Sequence, residues 1–244
     1  MNIHAGDHSI PALVSACGDP QAISVTFQFM ANAGVQDFVD APVITQFTRT
    51  HNPDIWCNQT AIEVKSLVRR DFPLDYYGAH RPFHDEDKAK PLWTDGSGRP
   101  VPPPFRRAAN KRRIRAFPAA GARAHATLNH YALRSLDSYL VKNDRGDVNR
   151  EHRAFDDTYW RERNDAAWRD DSILRYAAPL RDEIARLKSL PGVRALHEEA
   201  VALHRARHDA LLAQDGYRQM RDQLRAAPAV CAAEAAIIHE LSAP

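Results

Sequence analysis

The amino-acid sequence predicts an α+β fold, with strands in the front of the chain and helices in the rear. Residues 22–30 (AISVTFQFM) alternate β-branched and aromatic side chains, which is typical of a strand. Between residues 180 and 211, apolar side chains recur every three or four positions, which is typical of amphipathic helices. A proline-rich, basic segment separates the two regions. We therefore expect a mixed sheet followed by a helical C-terminal extension.

The composition is that of a globular protein. Of 244 residues, 44% are apolar and 26% charged, and 33 basic against 31 acidic side chains give a net charge of +2. This balance argues against a specific nucleic-acid partner, because nucleic-acid-binding proteins usually carry a strong basic excess. Cys17, Cys57 and Cys231 lack zinc-binding spacing, so we expect reduced thiols. The sequence shows neither a secretion signal nor an apolar run of about 18 residues, which predicts a cytoplasmic chain without a membrane span.

Local signals define the elements of the front region. Asp7 or Ser9 is expected to cap a short helix that runs to Cys17, and the turn at residues 18–20 (GDP) ends it. Strands are predicted over residues 22–30, 43–48, 61–68 and 126–132. We expect residues 71–104 to form a long loop, because prolines interrupt them and residues 95–98 (DGSG) are a turn signal.

The rear region is predicted to be helical. Ser135 or Asp137 begins one helix, and Asp156 begins another helical stretch. Two apolar stripes follow, formed by Leu180, Ile184, Leu187 and Leu190, and by Val193, Leu196, Ala200, Leu203 and Leu211. Pro191-Gly192 lies between the stripes and predicts an antiparallel helical hairpin. A third helix is expected over residues 229–241, and we place the domain boundary so that residues 1–150 and 151–244 are separate.

A basic segment is the first candidate for a binding function. No acidic residue occurs between Asp95 and Asp137, whereas this stretch contains Arg99, Arg106, Arg107, Lys111, Arg112, Arg113, Arg115, Arg123 and Arg134. Guanidinium groups form bidentate hydrogen bonds with phosphates, so the segment fits a non-enzymatic module that binds a polyanion. It fits a solvated surface loop equally well.

Three further patterns give weaker indications. Residues 80–87 (HRPFHDED) place imidazoles and carboxylates together, but a solvated polar loop is the more ordinary interpretation. His204 and His208 are one helical turn apart and His197 lies two turns earlier, yet no HExxH motif accompanies them. The leucine stripes also fit a helical interaction protein, although such stripes more often pack a core. Phosphate-binding loops and nucleophile-elbow motifs do not occur in the sequence.

An ordered series of short motifs resembles the C-terminal part of bacterial family 2-like glycosyltransferases, which are related to glycosyltransferase family 92 and have a GT-A fold. The series spans roughly residues 2–210. The ordered series carries the resemblance rather than any single motif, and its most persuasive block is Asn129-His130-Tyr131 with Lys142 and Arg145-Gly146. Its other members include Asn2-Ile3-His4-Ala5-Gly6-Asp7, Gln46-Phe47-Thr48-Arg49, Val64-Lys65-Ser66-Leu67-Val68-Arg69 and Gly78-Ala79-His80-Arg81-Pro82. The resemblance implies an enzyme that moves a sugar from a nucleotide-sugar donor to a glycan or lipid-linked acceptor, for polysaccharide biosynthesis.

The resemblance also implies roles for individual residues. A divalent metal, Mn²⁺ or Mg²⁺, neutralises the departing nucleoside diphosphate in such enzymes, and His130 corresponds to a metal ligand. The other implied residues are Lys65, Arg69 and Lys142 for the donor phosphates, and Trp93 and His80 for the acceptor or sugar. His130 fits a packed strand end equally well, Trp93 fits a core position, and the three cations fit ordinary surface charges.

One departure from the family affects the expected activity. In the family, an Asp-x-Asp-Glu-Phe motif directly precedes the segment that resembles Asn2-Ile3-His4, and its carboxylates hold the metal. The present sequence starts just after that point. We therefore expect an N-terminally truncated enzyme that retains no metal and is impaired or inactive alone. The catalytic base stays unassigned, because Asp37, Asp40, Asp75 and Asp95 all lie in predicted loops.

Overall fold

A computed structural model describes residues 1–53, 63–106, 119–147, 155–230 and 232–242. The strands are β1 (Asn2–Ile3), β2 (Ala22–Phe29), β3 (Arg49–Thr50), β4 (Val64–Val68), β5 (Leu74–Tyr77), β6 (Pro82–His84), β7 (Trp93–Asp95), β8 (Ala126–His130) and β9 (Trp168–Arg169). The helices are α1 (Ile10–Ala16), α2 (Val43–Gln46), α3 (Pro103–Arg106), α4 (Leu136–Arg145), α5 (Asp157–Arg161), α6 (Ala177–Lys188), α7 (Val193–Leu212), α8 (Asp215–Ala226) and α9 (Ala232–Ser242). A 3₁₀ turn, Ser172–Tyr176, precedes α6. The expected α+β class, a mixed sheet with C-terminal helices, is confirmed.

The chain divides into two compact units that alternate along the sequence. Unit 1 contains residues 1–28 and 53–130, and unit 2 contains residues 29–52 and 131–244. This division differs from the boundary expected at residue 150. Segment 29–52 groups with the helical rear because its backbone pairs there: β3 lies antiparallel to β9, and Asp170 donates to the carbonyl of Thr48 at 2.8 Å.

Unit 1 is built around strand β2. The sheet order is β1-β8-β2-β4, and β7 also pairs with β2, in parallel, through Ala22 with Trp93 and Ser24 with Asp95. Strand β4 runs antiparallel to β2, with Ala22 opposite Val68. Every residue of β2 is buried, as expected of a central strand that has partners on both edges.

Two apolar clusters form the core of unit 1. One lies beneath α1 and joins Leu13 to Ile23 and Val25 of β2. In the other, Trp93 is completely buried, with the rings of Phe72 and Phe105 each 5.4 Å from its own. The Trp93 indole also donates to the Ser24 hydroxyl at 3.0 Å, so the buried N–H is satisfied.

Unit 2 has an aromatic core among its helices. Tyr139 of α4 packs edge-on against Trp160 of α5, with ring centroids 4.8 Å apart, and Leu224 of α8 joins them. Helix α4 begins where Ser135 accepts from the amide of Ser138, and α5 begins at Asp156 in the same way. Both predicted helix starts are therefore confirmed.

Several local predictions are confirmed and others are wrong. Ser9 caps α1 through the amide of Ala12, and the predicted strands beginning at residues 22 and 126 are present. Residues 43–46 form a short helix rather than a strand, because Pro42 starts a turn that Thr45 closes. The predicted loop 71–104 contains β5, β6, β7 and α3, and α8 was not predicted. Cys57, Cys231 and residues 107–118 of the basic segment lie outside the described residues.

The turn after β7 matches its sequence signal. One carboxylate oxygen of the buried Asp95 accepts from the amides of Ser97 (2.8 Å) and Arg99 (3.1 Å), and the other accepts from the Arg99 side chain (2.7 Å). Gly96 lies where two backbone segments approach closely. A Cβ atom there would lie 2.8 Å from the carbonyl oxygen of Ala122 and 3.0 Å from that of Ala126.

We predict that Gly96→Ala destabilises the protein by roughly 2 kcal/mol, since two backbone segments would have to move apart. The matched control is Gly216→Ala in α8, where an added Cβ atom has no neighbour within 4 Å. That control should stabilise by no more than about 0.5 kcal/mol, because Gly216 is the second residue of α8 and the helix propensity of alanine has its full effect only in a helix interior. Urea unfolding measures both values, and an equal effect of the two substitutions would contradict the close backbone approach at Gly96.

Candidate functional site

Two of the histidines singled out by the sequence lie against one aromatic side chain in unit 1. His130, the last residue of β8, packs on Phe27 of β2 with ring centroids 4.7 Å apart and planes inclined by 56°. His80, in the turn between β5 and β6, lies on the same ring at 6.1 Å and 55°. The sheet order places β8 and β4 on either side of β2, so Phe27 lies where residues distant in sequence meet. We call Phe27, His80 and His130 the histidine site.

The turn that carries His80 is fixed to strand β4. Gly78 donates to the carbonyl of Arg81 at 2.9 Å, which closes the turn. The Nδ1 atom of His80 lies 3.1 Å from the carbonyl oxygen of Val64, and the Ser66 hydroxyl donates to the His80 carbonyl at 3.3 Å. The imidazole is therefore held by β4 as well as by its contact with Phe27.

Arg123 fixes the strand end that carries Phe27. Its guanidinium donates to the carbonyl of Phe27 from Nε (3.3 Å) and from Nη2 (2.8 Å). Its Nη1 atom donates to the carbonyls of Pro53 (3.1 Å) and Ala119 (3.2 Å). The sequence placed Arg123 in the basic segment that was expected to bind phosphates. In the structure its guanidinium instead donates to three backbone carbonyls.

The predicted phosphate-binding cations are dispersed. Lys65 lies beside the histidine site, where its Nζ atom donates to the carbonyl of Ala79 at 2.5 Å and its side chain is exposed. Arg69 lies four residues further along the chain, about 13 Å away for an extended strand. Its guanidinium pairs with Asp71 (2.6 Å) and Asp19 (3.1 Å). Of these two cations, only Lys65 therefore lies beside the histidine site.

Trp93 is a core residue. Its indole is completely buried between Phe72 and Phe105, so neither ring face is open to a sugar. This position fits the interpretation of Trp93 as a core residue. It corrects the expectation that Trp93 stacks on a sugar.

Lys142 lies in an aromatic surrounding within unit 2. Its ammonium donates to the carbonyl of Ala132 (2.7 Å) and to the hydroxyl of Tyr159 (2.9 Å). It also lies 4.5 Å from the ring centroids of Phe155 and Tyr159, which is cation–π geometry. Burial, together with the charges of nearby arginine side chains, lowers the pKa of Lys142 to about 8. This lysine therefore has a packing role, with its donors directed to protein acceptors.

The predicted base candidates have different surroundings. Asp95 is committed to its turn, and Asp37 and Asp75 are exposed. Asp40 lies 2.9 Å from His197 and 3.8 Å from Lys188, and its hydrogen bond from His197 holds the pKa of Asp40 below its usual range. Nothing in these surroundings marks one of the four carboxylates as a catalytic base.

The described part of the chain does not form a complete metal site. Within these residues, no group of three or more histidine, cysteine, aspartate or glutamate side chains is arranged to hold a metal ion. The α7 histidines each have other neighbours: His197 contacts Asp40, His204 packs on Phe38 with centroids 4.3 Å apart, and His208 lies 3.0 Å from Asp137. At most, His130 offers a single imidazole ligand.

Comparisons with known proteins returned no match to a protein-family model, to a curated protein or to a solved structure. In the described residues, no helix combines the length and the apolar character needed to cross a membrane. Functional inference for this chain therefore rests on its residues and on the geometry of the histidine site.

We predict that stability rises with pH between about 8 and 10.5 because of Lys142. Below pH 8 both states are protonated, so the cost of burying the charge is fully present. Between the two pKa values the folded state releases its proton while the unfolded state keeps it, so stability increases. After allowance for solvent screening we expect on the order of 1–2 kcal/mol.

The measurement is the unfolding free energy of the wild type and of Lys142→Met across this pH range. The difference between the two proteins isolates Lys142 from other groups that titrate at high pH. Parallel pH profiles would contradict a lowered pKa. Lys90→Met, at an exposed position before β7, is the matched control and should leave the profile unchanged.

Proposed function

We propose that this chain serves nucleotide-sugar-dependent glycosyl transfer and contributes the acceptor-side part of a GT-A-type site. The observation that carries the proposal is the histidine site. His80 and His130 are fifty positions apart in the sequence, and both pack on the ring of Phe27. Both histidines belong to the motif series, which is defined by the sequence alone. Their meeting at one strand end supports a common site.

The chemistry of glycosyl transfer assigns different tasks to these groups. The nucleoside diphosphate leaves with developing negative charge, which a divalent metal or a cation stabilises. Lys65 lies beside the histidine site and, with one carbonyl as acceptor, retains further N–H donors for a phosphate oxygen. An imidazole such as His80 hydrogen-bonds sugar hydroxyl groups as donor or acceptor, according to its tautomer.

The described residues alone do not fit a resident Mn²⁺ or Mg²⁺, because they hold no group of three or more histidine, cysteine, aspartate or glutamate side chains where such ions require several oxygen or nitrogen ligands. In the proposed function His130 supplies one ligand, and the other ligands would have to come from outside the described residues. The residues assigned here are His130 for the metal, Lys65 for phosphate and His80 for the sugar or acceptor.

Of the four arginines of the basic segment that the structure describes, three are bound to protein acceptors, which does not favour the rival polyanion-binding function, and the fourth, Arg134, is exposed. Arg99 is paired with Asp95, and Arg123 is bound to three carbonyls. Arg106 is nearly buried and donates to the carbonyl of Val101 at 3.0 Å. These three side chains have structural roles, so glycosyl transfer is the function that the geometry supports best.

We predict that the chain binds uridine or guanosine diphosphate without a metal ion, and that Lys65→Met weakens this binding at least about threefold, because a charge-assisted contact with phosphate is lost. Titration calorimetry with each nucleotide measures the affinities. Lys90→Met, at an exposed position before β7, is the matched lysine control and should bind as the wild type does.

Two outcomes would overturn the proposal: a wild-type chain that binds neither nucleotide, or a Lys65→Met variant that binds with unchanged affinity. Sugar release from UDP- or GDP-sugars by the same preparations tests activity separately. Release by the wild type that depends on Mn²⁺ would contradict our expectation that this chain is inactive alone.

A further inference from the structure

Helix α7 buries a face that its leucine stripe does not predict. The residues that turn towards the rest of unit 2 are Val193, His197, Val201, His204, His208 and Leu211. Leu196 and Leu203, which were expected in the core, are instead 66% and 63% exposed. The apolar stripe of the sequence therefore contains two sets of residues, and one of them lies on the surface.

The exposed set forms a continuous apolar face. Leu196, Leu203 and Ala210 follow one another at seven-residue intervals, which places them in one row along the helix, with Ala206 beside them. Leu187 and Leu190 at the end of α6 are also exposed, next to the start of α7 in the hairpin. Exposed apolar faces of this extent mark interaction surfaces in soluble proteins.

We propose that this face of α7 pairs with the same face of a second copy of the chain, in antiparallel orientation about a two-fold axis at Leu203. The seven-residue row is the pattern by which two helices pack along their length. A two-fold axis makes the surface complementary to itself, so each contact occurs twice.

The positions of the side chains favour this orientation. With the axis at Leu203, that leucine meets its own copy, and Leu196 of one copy lies opposite the small Ala210 of the other. Glu199 then lies beside Arg207 of the second copy, so opposite charges flank the apolar row. A parallel pair would place Glu199 beside Glu199 and leave the Ala210 pair underfilled. Arg207 also binds Asp144 within its own chain at 2.6 Å, but half of its side chain stays exposed.

The size of the face determines the strength of the pairing. A helix of 20 residues is about 30 Å long, and a single helix pair buries less area than a standard stable interface of about 1,600 Å². We therefore expect a weak dimer that forms reversibly as the protein concentration rises.

Sedimentation velocity of the full chain over about a hundred-fold concentration range tests the pairing. The wild type should shift from monomer to dimer. Leu203→Glu should weaken the dimer at least about tenfold, since the axis would bring two carboxylates together. Leu92→Glu, at an exposed leucine in unit 1, is the matched control and should dimerise as the wild type does. A monomer at every concentration, or a dimer that Leu203→Glu leaves unchanged, would overturn the proposal.

Engineered cysteines test the register, in a chain whose Cys57 and Cys231 are replaced by serine. Leu203→Cys should form a disulfide-linked dimer on mild oxidation, because the axis brings the residue close to its own copy. Leu196→Cys alone should not form one, whereas a mixture of Leu196→Cys and Ala210→Cys should. Cross-linking of Leu196→Cys with itself would overturn the antiparallel register. Circular dichroism of each variant verifies that the fold is retained.

Discussion

The hydrogen bonds of the Arg123 guanidinium are the constraint on which the histidine site depends. Phe27 donates its own amide to the carbonyl of Glu63 at 2.8 Å and offers its carbonyl to Arg123 at 2.8 Å. Both polar groups of this backbone unit are thus fixed inside unit 1. Charge-assisted bonds of this kind contribute more than neutral ones, roughly 1.5–3 kcal/mol each. The Phe27 ring therefore has a defined position against which His80 and His130 pack.

Sequence patterns predicted the elements that are determined locally. The Ser9 cap of α1, the alternation along β2 and the Pro191-Gly192 break between α6 and α7 all act within a few residues. Strand β7 was missed among prolines because it is specified by a distant partner. Its three residues are extended since Trp93 and Asp95 pair with the start of β2, and no local signal encodes that pairing.

The site was predictable only in part, for a related reason. Resemblance to known motifs identified His80 and His130, yet their common neighbour Phe27 is indistinguishable in sequence from the other aromatic residues of a buried strand. The charge of Arg123 indicated a surface role, whereas the convergence of three carbonyls explains its half-buried position. Chemical type alone does not distinguish a cation that binds ligands from one that binds the backbone.

Helix α7 shows how polar pairing selects the buried face of an amphipathic helix. Periodicity predicts that the helix exists, but its leucines and histidines form two competing faces. The histidine face is half-buried and contacts carboxylates of unit 2: Asp40 lies opposite His197, and Asp137 lies opposite His208. Burial and the neighbouring His208 lower the pKa of His204, which favours the uncharged form of that imidazole in the interface. Because its histidines contact polar groups of unit 2, the helix presents its leucines outward, on the face for which we propose pairing with a second copy.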